Sequence, residues 1–282
     1  MSSKSNEKIS GAEIFVRSLE AEGVETVFGY IGAKVIDIYD KLYDSKIRHI
    51  MPHHEQGGVH AADGYARSSG KTGVCIATSG PGASNMVTAL ATAHMDSVPL
   101  VAFTGQVPNT MIGTDGFQEA DIKGITMPIT KNNYIVNNVE DLAGIIKEAF
   151  HIASTGRPGP VLVDIPSNIL KAEAEFNYPK DVDLPGYSPT YAPNKLQIKR
   201  AVELINQSNK PIIYAGGGSI ISGADKEITE LAHKAEIPVT TTLNGIGIFD
   251  ENDDLSLGML GMHGTTQANL AISNSDLIIA LG

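Results

Sequence analysis

The sequence predicts an α/β protein built of two doubly wound domains, each a parallel sheet covered by helices. Short strands alternate with helices along the chain, and the strands are apolar on both faces, which is typical of parallel sheets. The length of 282 residues fits two domains of ordinary size. A polar, proline-rich segment predicts a linker, so we expect a first domain at 8–170, a linker at 171–193 and a second domain at 194–282.

The first domain is predicted to begin with a helix. Ser10 and Glu13 form a capping box at the start of this helix, and Gly23 ends it. The pattern that follows predicts helices near 35–42, over 56–69 and over 139–154, and strands over 24–28, 47–51, 73–78, 100–104 and 160–165.

The second domain repeats the strand and helix rhythm. Its predicted helices cover 194–206, 224–235 and 265–273, and its predicted strands cover 211–215, 238–242 and 276–281. Gly282 stands at the carboxyl end of an apolar strand, where a doubly wound domain would place a covering helix. We therefore expect this domain to be truncated and the chain to be part of a longer protein.

Charge and cysteine content exclude several classes of partner and location. There are 21 basic and 32 acidic residues, a formal charge of −11, which disfavours binding to nucleic acid or to an anionic membrane. No run of about 18 apolar residues is present to span a bilayer. Cys75 is the only cysteine and cannot form an internal disulfide, so we expect a reducing, cytoplasmic location.

The candidate chemistry lies in the loops that follow the predicted strands, because ligands of parallel sheets bind outside the carboxyl ends of the strands. Glu55 is a lone carboxylate among these uncharged, glycine-rich loops. From spacing alone, Glu55 is better explained as a helix N-terminal carboxylate than as a catalytic group. The loop at 79–82 is either a phosphate cradle or a plain turn into a helix.

Metal and dinucleotide motifs are weak. His53, His54 and His60 do not have the spacing of a metal site, so we assign no metal ligand. The glycines at 216–218 follow a strand, as in dinucleotide-binding domains, but Ile221 occupies the position of the third glycine of that fingerprint.

A set of short motifs, taken together, is far more specific. They are Val27–Tyr30, His54–Gln56, Asp63–Arg67, Thr78–Gly82, Thr104–Pro108, Phe117–Asp121, Thr155–Pro160, Asp164–Pro166, Gly258–Gly264 and Ala268–Asn269. In this order they closely resemble the large catalytic subunits of the acetolactate synthase (acetohydroxyacid synthase) family, which are thiamine-diphosphate enzymes. The resemblance covers nearly the whole chain.

The resemblance implies a fold and a reaction. The first domain would bind the aminopyrimidine of thiamine diphosphate, and the second would be an incomplete FAD-binding middle domain. The family condenses two molecules of pyruvate, or pyruvate and 2-ketobutyrate, with release of CO2, to make the precursors of branched-chain amino acids. Glu55 and Gln118 match its catalytic positions, and Gly32, Glu55, Pro81 and Asn85 match positions that contact thiamine diphosphate.

The resemblance also implies further cofactors and partners. FAD would contact Arg157, Gly216, Gly217, Gly218, Thr241, Leu243, Leu260, Gly261, Met262, His263 and Gly264. Mg2+ and the diphosphate would be held by a third domain that this chain lacks, so the chain alone is expected to be inactive. We expect a homodimer or larger assembly with the active site between subunits, together with a possible small regulatory subunit.

Two departures from the family keep other functions open. Ile31, Ala33 and Lys34 stand where the family usually has other residues, and Ser167 stands where it usually has lysine. One alternative is a different 2-keto acid decarboxylase or carboligase of the thiamine family. Another is a non-catalytic interaction protein on the same scaffold.

Overall fold

A computed structural model describes residues 8–282 as two compact units that divide between Thr190 and Tyr191. The first unit contains a six-stranded sheet and a two-stranded sheet, and the second contains a four-stranded sheet. Both larger sheets are parallel, which confirms the predicted fold class. The dividing point falls inside the predicted linker, while the exact domain bounds stay a prediction.

The first unit begins with strand β1 and ends beyond strand β8. Its strands are β1 (Lys8–Ser10), β2 (Thr26–Gly29), β3 (Arg48–Ile50), β4 (Gly73–Ala77), β5 (Leu100–Gln106), β6 (Asn132–Ile135), β7 (Pro160–Pro166) and β8 (Glu173–Glu175). Its α-helices are α1 (Gly11–Ala21), α2 (Ile36–Tyr43), α3 (Glu55–Ser69), α4 (Pro81–Ser84), α5 (Val87–Met95), α6 (Ile122–Thr126), α7 (Leu142–Ser154) and α8 (Ser167–Lys171).

The order of strands in the six-stranded sheet creates a crevice. The order is β3-β2-β4-β5-β7-β6, and every pairing is parallel. The chain runs from β2 outward to β3 and then crosses to the other side of β2 to form β4. The connections that leave β2 and β4 therefore diverge, and such a switch point is where open parallel sheets bind ligands.

Helix capping and apolar contacts hold this unit together. The Glu13 amide donates to the Ser10 hydroxyl at 3.2 Å, which confirms the Ser10 half of the capping box, while the Glu13 carboxylate accepts from Arg17. Gly23 follows the helix with a φ of 71°. Phe15 of α1 meets Phe103 of β5 edge to face, with 4.7 Å between ring centroids. Both rings are fully buried, so this contact fixes the helix on the sheet.

Much of the predicted linker packs on the first unit. Strand β8 pairs antiparallel with β1 and buries Ala174. Further along, the Tyr187 hydroxyl accepts a hydrogen bond from the Lys131 ammonium group at 3.0 Å. Proline prevents a helix in this segment, but it does not prevent short edge strands or packed loops.

The second unit has a simpler layout. Its strands are β9 (Pro211–Ala215), β10 (Val239–Thr241), β11 (Ser256–Met259) and β12 (Leu277–Leu281), and its α-helices are α9 (Lys195–Gln207), α10 (Gly217–Ile221), α11 (Asp225–Ala235) and α12 (Thr266–Asn274). The parallel order is β11-β10-β9-β12, so the switch point lies between β9 and β12. Ile213, Ile228 and Val239 are part of its core.

Besides β1 and β8 of the two-stranded sheet, strands β6 and β11 lie outside the sequence prediction. Both are edge strands, and all their residues are half-buried. Strand β6 begins with two asparagines, and β11 contains Gly258 with a φ of 74°. Neither segment has the apolar run by which a buried strand is recognised.

The lengths of the helices show whether any of them could span a membrane. The longest helix in residues 8–282 is α3, with 15 residues. A helix needs about 20 apolar residues to cross a bilayer. Within the described part of the chain, none is long and apolar enough to do so.

The close contact at Gly105 can be tested by substitution. A Cβ at Gly105 in β5 would lie 2.8 Å from Val35 Cγ1 and 3.0 Å from the Lys34 carbonyl oxygen. Gly105→Ala should therefore lower the free energy of unfolding of the first unit by about 1–3 kcal/mol. Gly144→Ala in α7 is the control, because a Cβ there meets nothing within 4 Å and should raise that free energy by about 0.5–1 kcal/mol. Urea titration followed by circular dichroism measures both, and equal stabilities would contradict the contact.

Candidate active site

The loop after β2 lies directly on the end of β4. A Cβ at Gly32 would stand 2.4 Å from Thr78 Cβ, so only glycine fits at this approach. The Lys34 amide donates to the Thr78 hydroxyl at 3.2 Å. These contacts form one wall of the crevice at the switch point.

Glu55 projects from the first turn of α3 toward the turn that follows β4. Its Oε2 atom accepts a hydrogen bond from Asn85 Nδ2 at 2.9 Å, and its Oε1 atom is 3.2 Å from the position of a Cβ at Gly82. The side chain is partly exposed. Glu55 thus occupies the helix N-terminal position that spacing suggests, while its carboxylate contacts a segment 30 residues away.

The turn at 79–82 has an unusual backbone and an unpaired hydroxyl. Gly80 has φ 60° and ψ −117°, a conformation that side chains other than glycine avoid. The Ser79 Oγ atom is buried and has no hydrogen-bond partner among residues 8–282. A buried hydroxyl without a partner costs about 1–3 kcal/mol, so this atom is a natural contact for a polar ligand.

Gln118 is held against the same turn. It has a φ of 60°, which is uncommon outside glycine, and its carbonyl oxygen is 2.7 Å from the position of a Cβ at Gly80. The neighbouring Glu119 accepts hydrogen bonds from the Gly113 and Gly116 amides, which lower the pKa of its carboxyl. These bonds give the loop a defined shape.

The structure therefore brings the predicted site residues of the first domain to one edge of the sheet. Pro81 is exposed at the first position of α4, next to the glycine turn. The group consists of Gly32, Glu55, Pro81, Asn85 and Gln118.

A buried polar network beneath this edge was not predicted. The Thr104 hydroxyl donates to Asp164 Oδ1 at 2.7 Å, and Gln106 Nε2 donates to Asp164 Oδ2 at 2.9 Å. The same Gln106 nitrogen donates to the Ala120 carbonyl oxygen at 2.9 Å. Burial raises the pKa of Asp164 to about 7, although both donors oppose the shift. The only sequence signal was that these residues fall inside two of the family motifs.

The glycines at 216–218 lie at the switch point of the second unit. A Cβ at Gly216 would be 2.6 Å from the Gly282 carbonyl oxygen, and one at Gly218 would be 2.7 Å from the Gly282 carbonyl carbon. The ends of β9 and β12 therefore approach each other through backbone alone. Only glycine fits at Gly216 and Gly218, because the backbone of Gly282 occupies the space that a Cβ would need.

The other predicted residues of the second domain follow β10 and β11 at the same edge. Thr241 is buried at the end of β10, and its carbonyl oxygen accepts from the Leu260 amide at 3.1 Å. The hydroxyl of Thr242 is buried and has no partner among residues 8–282. Leu243 and Met262 are 71% and 91% exposed, so apolar surface borders this edge. The structure thus groups Thr241, Leu243, Leu260, Gly261, Met262, His263 and Gly264 with the glycine turn.

The sequence prediction places Arg157 among the FAD contacts, but within the first unit it lies away from the group around Glu55. It precedes β7 in the first unit, at the opposite edge of the sheet from Glu55. Its guanidinium donates to the Ser97 hydroxyl at 2.7 Å and to the Met95 carbonyl oxygen at 3.3 Å.

Metal binding has no support within either unit. Among residues 8–282, no group of three or more His, Cys, Asp or Glu side chains is arranged to hold a metal ion.

Comparison with known proteins identifies both units. The family model of the thiamine pyrophosphate enzyme N-terminal TPP binding domain matches residues 9–125, and the model of the thiamine pyrophosphate enzyme central domain matches residues 198–282. These matches agree with the parallel sheets of the two units.

Curated relatives agree over nearly the whole chain. An acetolactate synthase large subunit from Corynebacterium glutamicum is 53% identical over 277 residues, which are 98% of this chain and 44% of the relative. A probable acetolactate synthase large subunit from Methanocaldococcus jannaschii is 51% identical over 97% of this chain and 47% of its own length. An acetolactate synthase from Arthrospira platensis is 52% identical over 98% of this chain and 49% of its own length.

The chain spans about half the length of these relatives. The two family models and the identity of about one half over nearly all residues confirm the resemblance that the motifs predict. The chain belongs to the thiamine pyrophosphate enzymes and is a homologue of the acetolactate synthase large subunits.

Proposed function

We propose that the whole protein is an acetolactate synthase that joins two 2-keto acids with loss of CO2. The proposed substrates are two molecules of pyruvate, or pyruvate with 2-ketobutyrate. The observation that carries the proposal is the position of Glu55. Its carboxylate lies at the switch point of the first unit, over a glycine turn and bonded to Asn85.

The residues at this edge fit the pyrimidine end of thiamine diphosphate. A carboxyl group can share a proton with a ring nitrogen, and the unpaired Ser79 hydroxyl can bond a polar group of the ring. Gly82 lies so close to Thr78 and to Glu55 Oε1 that a side chain at this position would crowd the carboxylate. When bound, thiamine diphosphate supplies the carbanion and the electron sink for decarboxylation and carbon–carbon bond formation.

The proposed task of Glu55 is to hold a proton on the pyrimidine ring. Asn85 donates to Oε2, which leaves Oε1 to share a proton with the ring nitrogen. Asn85 also fixes the plane of the carboxyl group, so the proton is presented in one direction. A positioned acid–base group of this kind accelerates a reaction by about 10²–10⁴-fold.

Gln118 is proposed to contact the substrate. Its side chain is half-buried. Its backbone lies against Gly80, in the same turn at 79–82 that the Glu55 carboxylate approaches at Gly82. An amide offers a donor for the carboxylate and an acceptor for a developing hydroxyl. The amide can therefore orient a 2-keto acid without adding a charge to the site.

A second copy of the chain is the proposed partner at this edge. Several apolar side chains are exposed in the loops near the candidate site, and Phe117, next to Gln118, is 84% exposed. Tyr30, Ile31 and Met51 are also exposed in the loops that border the crevice. Apolar surface at the mouth of a site is typical of an interface between subunits.

FAD is the proposed ligand of the second unit. The glycine turn at 216–218 and the unpaired Thr242 hydroxyl fit a pyrophosphate or a polar ring edge, and the exposed Leu243 and Met262 fit an apolar ring face. In an enzyme of the relatives' length, Mg2+ and the diphosphate of thiamine diphosphate would be held by a part that these two units do not include.

Glu55→Gln tests the acid–base role. Glutamine keeps the shape of the side chain but has no proton that it can transfer, so turnover of the whole enzyme should fall by more than about a hundredfold. Glu20→Gln is the control, because Glu20 is exposed on α1. The assay measures acetolactate formed from pyruvate, and near-normal turnover of Glu55→Gln would remove Glu55 from the mechanism.

Ser167→Lys tests whether a positive charge at position 167, where the family usually has lysine, favours substrate binding. Ser167 is the first residue of α8, after the carboxyl end of β7, and lysine there should attract a keto-acid carboxylate. The KM for pyruvate should fall by up to about fivefold, since an exposed charge pair contributes up to about 1 kcal/mol. Ser167→Gln controls for side-chain length, and added salt should weaken the effect. An unchanged or higher KM would contradict a role of charge at position 167 in substrate binding.

Thr242→Val tests the flavin proposal. Loss of one hydrogen bond of about 0.5–1.5 kcal/mol should weaken FAD binding by about 2- to 12-fold. Thr229→Val is the matched control, because its hydroxyl bonds to the Asp225 carbonyl within α11. Flavin fluorescence titration of the whole enzyme measures both affinities. Equal loss in the two variants, or no loss in either, would contradict a role of Thr242 in flavin binding.

A further inference from the structure

Asp164 is a buried carboxyl group that the proposed mechanism does not use. It is 1% exposed in β7, and the two side chains that bond to it, Thr104 and Gln106, are 1% and 4% exposed. Among residues 8–282, no basic side chain forms an ion pair with it. Burial of a carboxyl group without a cation is costly, so its presence calls for a function that an apolar residue could not perform.

Asp164 fixes the orientation of the Gln106 amide. Gln106 Nε2 donates both to Asp164 Oδ2 and to the Ala120 carbonyl oxygen, and Gln106 Oε1 accepts from the Val107 amide at 2.9 Å. If the Gln106 amide were turned by 180°, Oε1 would face two acceptors, Asp164 Oδ2 and the Ala120 carbonyl oxygen. Nε2 would then face the N–H donor of Val107. The carboxyl group, together with the Val107 amide and the Ala120 carbonyl oxygen, therefore favours the orientation in which Gln106 reaches Ala120.

This orientation survives protonation of Asp164. A proton on Oδ1 can be accepted by the Thr104 hydroxyl, which rotates to do so, while Oδ2 continues to accept from Gln106. The link from β7 through Gln106 to Ala120 thus holds in both protonation states.

Ala120 lies two residues after Gln118 in the same loop. The loop is held from the sheet at the Ala120 carbonyl oxygen and rests on Gly80 at Gln118. Gln118 has a positive φ, so its backbone conformation depends on contacts that hold the loop in place. Loss of the link at Ala120 would release one of these contacts.

We propose that Asp164 is a positioning residue: through Gln106 and the Ala120 carbonyl group, it holds Gln118 in place to contact the substrate. The inference rests on the proposed function for the role of Gln118. It assigns to Asp164 no contact with substrate or cofactor.

The first test compares Asp164→Ala with Asp164→Asn in the whole enzyme. Alanine removes the acceptor, and the kcat/KM for pyruvate should fall by about 10- to 100-fold, the loss expected from a displacement of about 1 Å at a reacting site. Asparagine can turn its carbonyl oxygen to Gln106 and its amide group to the Thr104 hydroxyl. Asp164→Asn should therefore stay within about threefold of the wild type. An equal loss in both variants would overturn the inference.

The second test is a double-mutant cycle with Gln118. If Asp164 acts through Gln118, Asp164→Ala should cost less than about twofold when it is added to Gln118→Ala. Independent, multiplicative losses would overturn the inference, because a general effect on folding persists when Gln118 is absent.

The third test needs no activity. Hydrogen exchange of the amides in 116–124 should be faster in Asp164→Ala than in the wild type and normal in Asp164→Asn. Gln106→Leu keeps the side-chain volume and should reproduce the Asp164→Ala pattern should that variant fail to fold. Asp63→Asn is the control, because the buried Asp63 pairs with Arg67 and does not contact this loop.

Hydrogen exchange in 116–124 distinguishes a failure of the proposed function from a failure of the inference about Asp164. If the wild-type enzyme makes no acetolactate, the proposed function fails, and exchange in 116–124 still decides whether Asp164 holds the loop. If exchange in 116–124 is unchanged in both Asp164→Ala and Gln106→Leu, the inference is overturned whatever the activity.

Discussion

The close contact between the loop after β2 and the end of β4 is the constraint on which the candidate site depends. Gly32 rests on Thr78 at a distance that a Cβ would not allow, and this contact closes one side of the crevice at the switch point. Beside this wall, Glu55 at the start of α3 lies over the turn that follows β4. The parallel sheet supplies the common edge, and the glycines allow the loops to meet there.

The two units use the same arrangement for different proposed ligands. In each unit, the chain crosses the first strand of its parallel sheet, and a glycine turn lies at the resulting switch point. In each unit, a buried hydroxyl after a strand has no partner among the described residues: Ser79 in the first and Thr242 in the second. In the first unit, the Glu55 carboxylate lies over the turn and is bonded to Asn85. This carboxylate is why we assign the acid–base chemistry to the first unit.

The sequence predicts most strands of the two parallel sheets and the location of Glu55, because these depend on local pattern. Buried parallel strands are apolar runs, and their carboxyl ends lie at one edge of the sheet whatever the order of the strands. The edge strands β6 and β11 have no such run and could not be recognised in this way. The role of Glu55 could not be decided from spacing, because a carboxylate at this position is expected both at a helix N-terminus and in an active site.

The network beneath the site could not be predicted at all. Gln106 and Asp164 are 58 residues apart and meet only because β5 and β7 are neighbours in the sheet. No periodicity in the sequence encodes which strands pair, and a buried aspartate in an apolar strand has no local signature. The contact of Gln118 with Gly80 is equally remote, and it depends on the backbone conformation of both residues.

The central claim is that the crevice beside Glu55 holds the pyrimidine ring of thiamine diphosphate. A crystal structure of the whole enzyme with thiamine diphosphate and Mg2+ tests it most directly. Our account predicts that Oε1 of Glu55 lies about 2.6–3.2 Å from a pyrimidine ring nitrogen while Oε2 keeps its hydrogen bond to Asn85. A pyrimidine ring bound at another edge of the sheet, with Glu55 bonded only to Asn85, would contradict it.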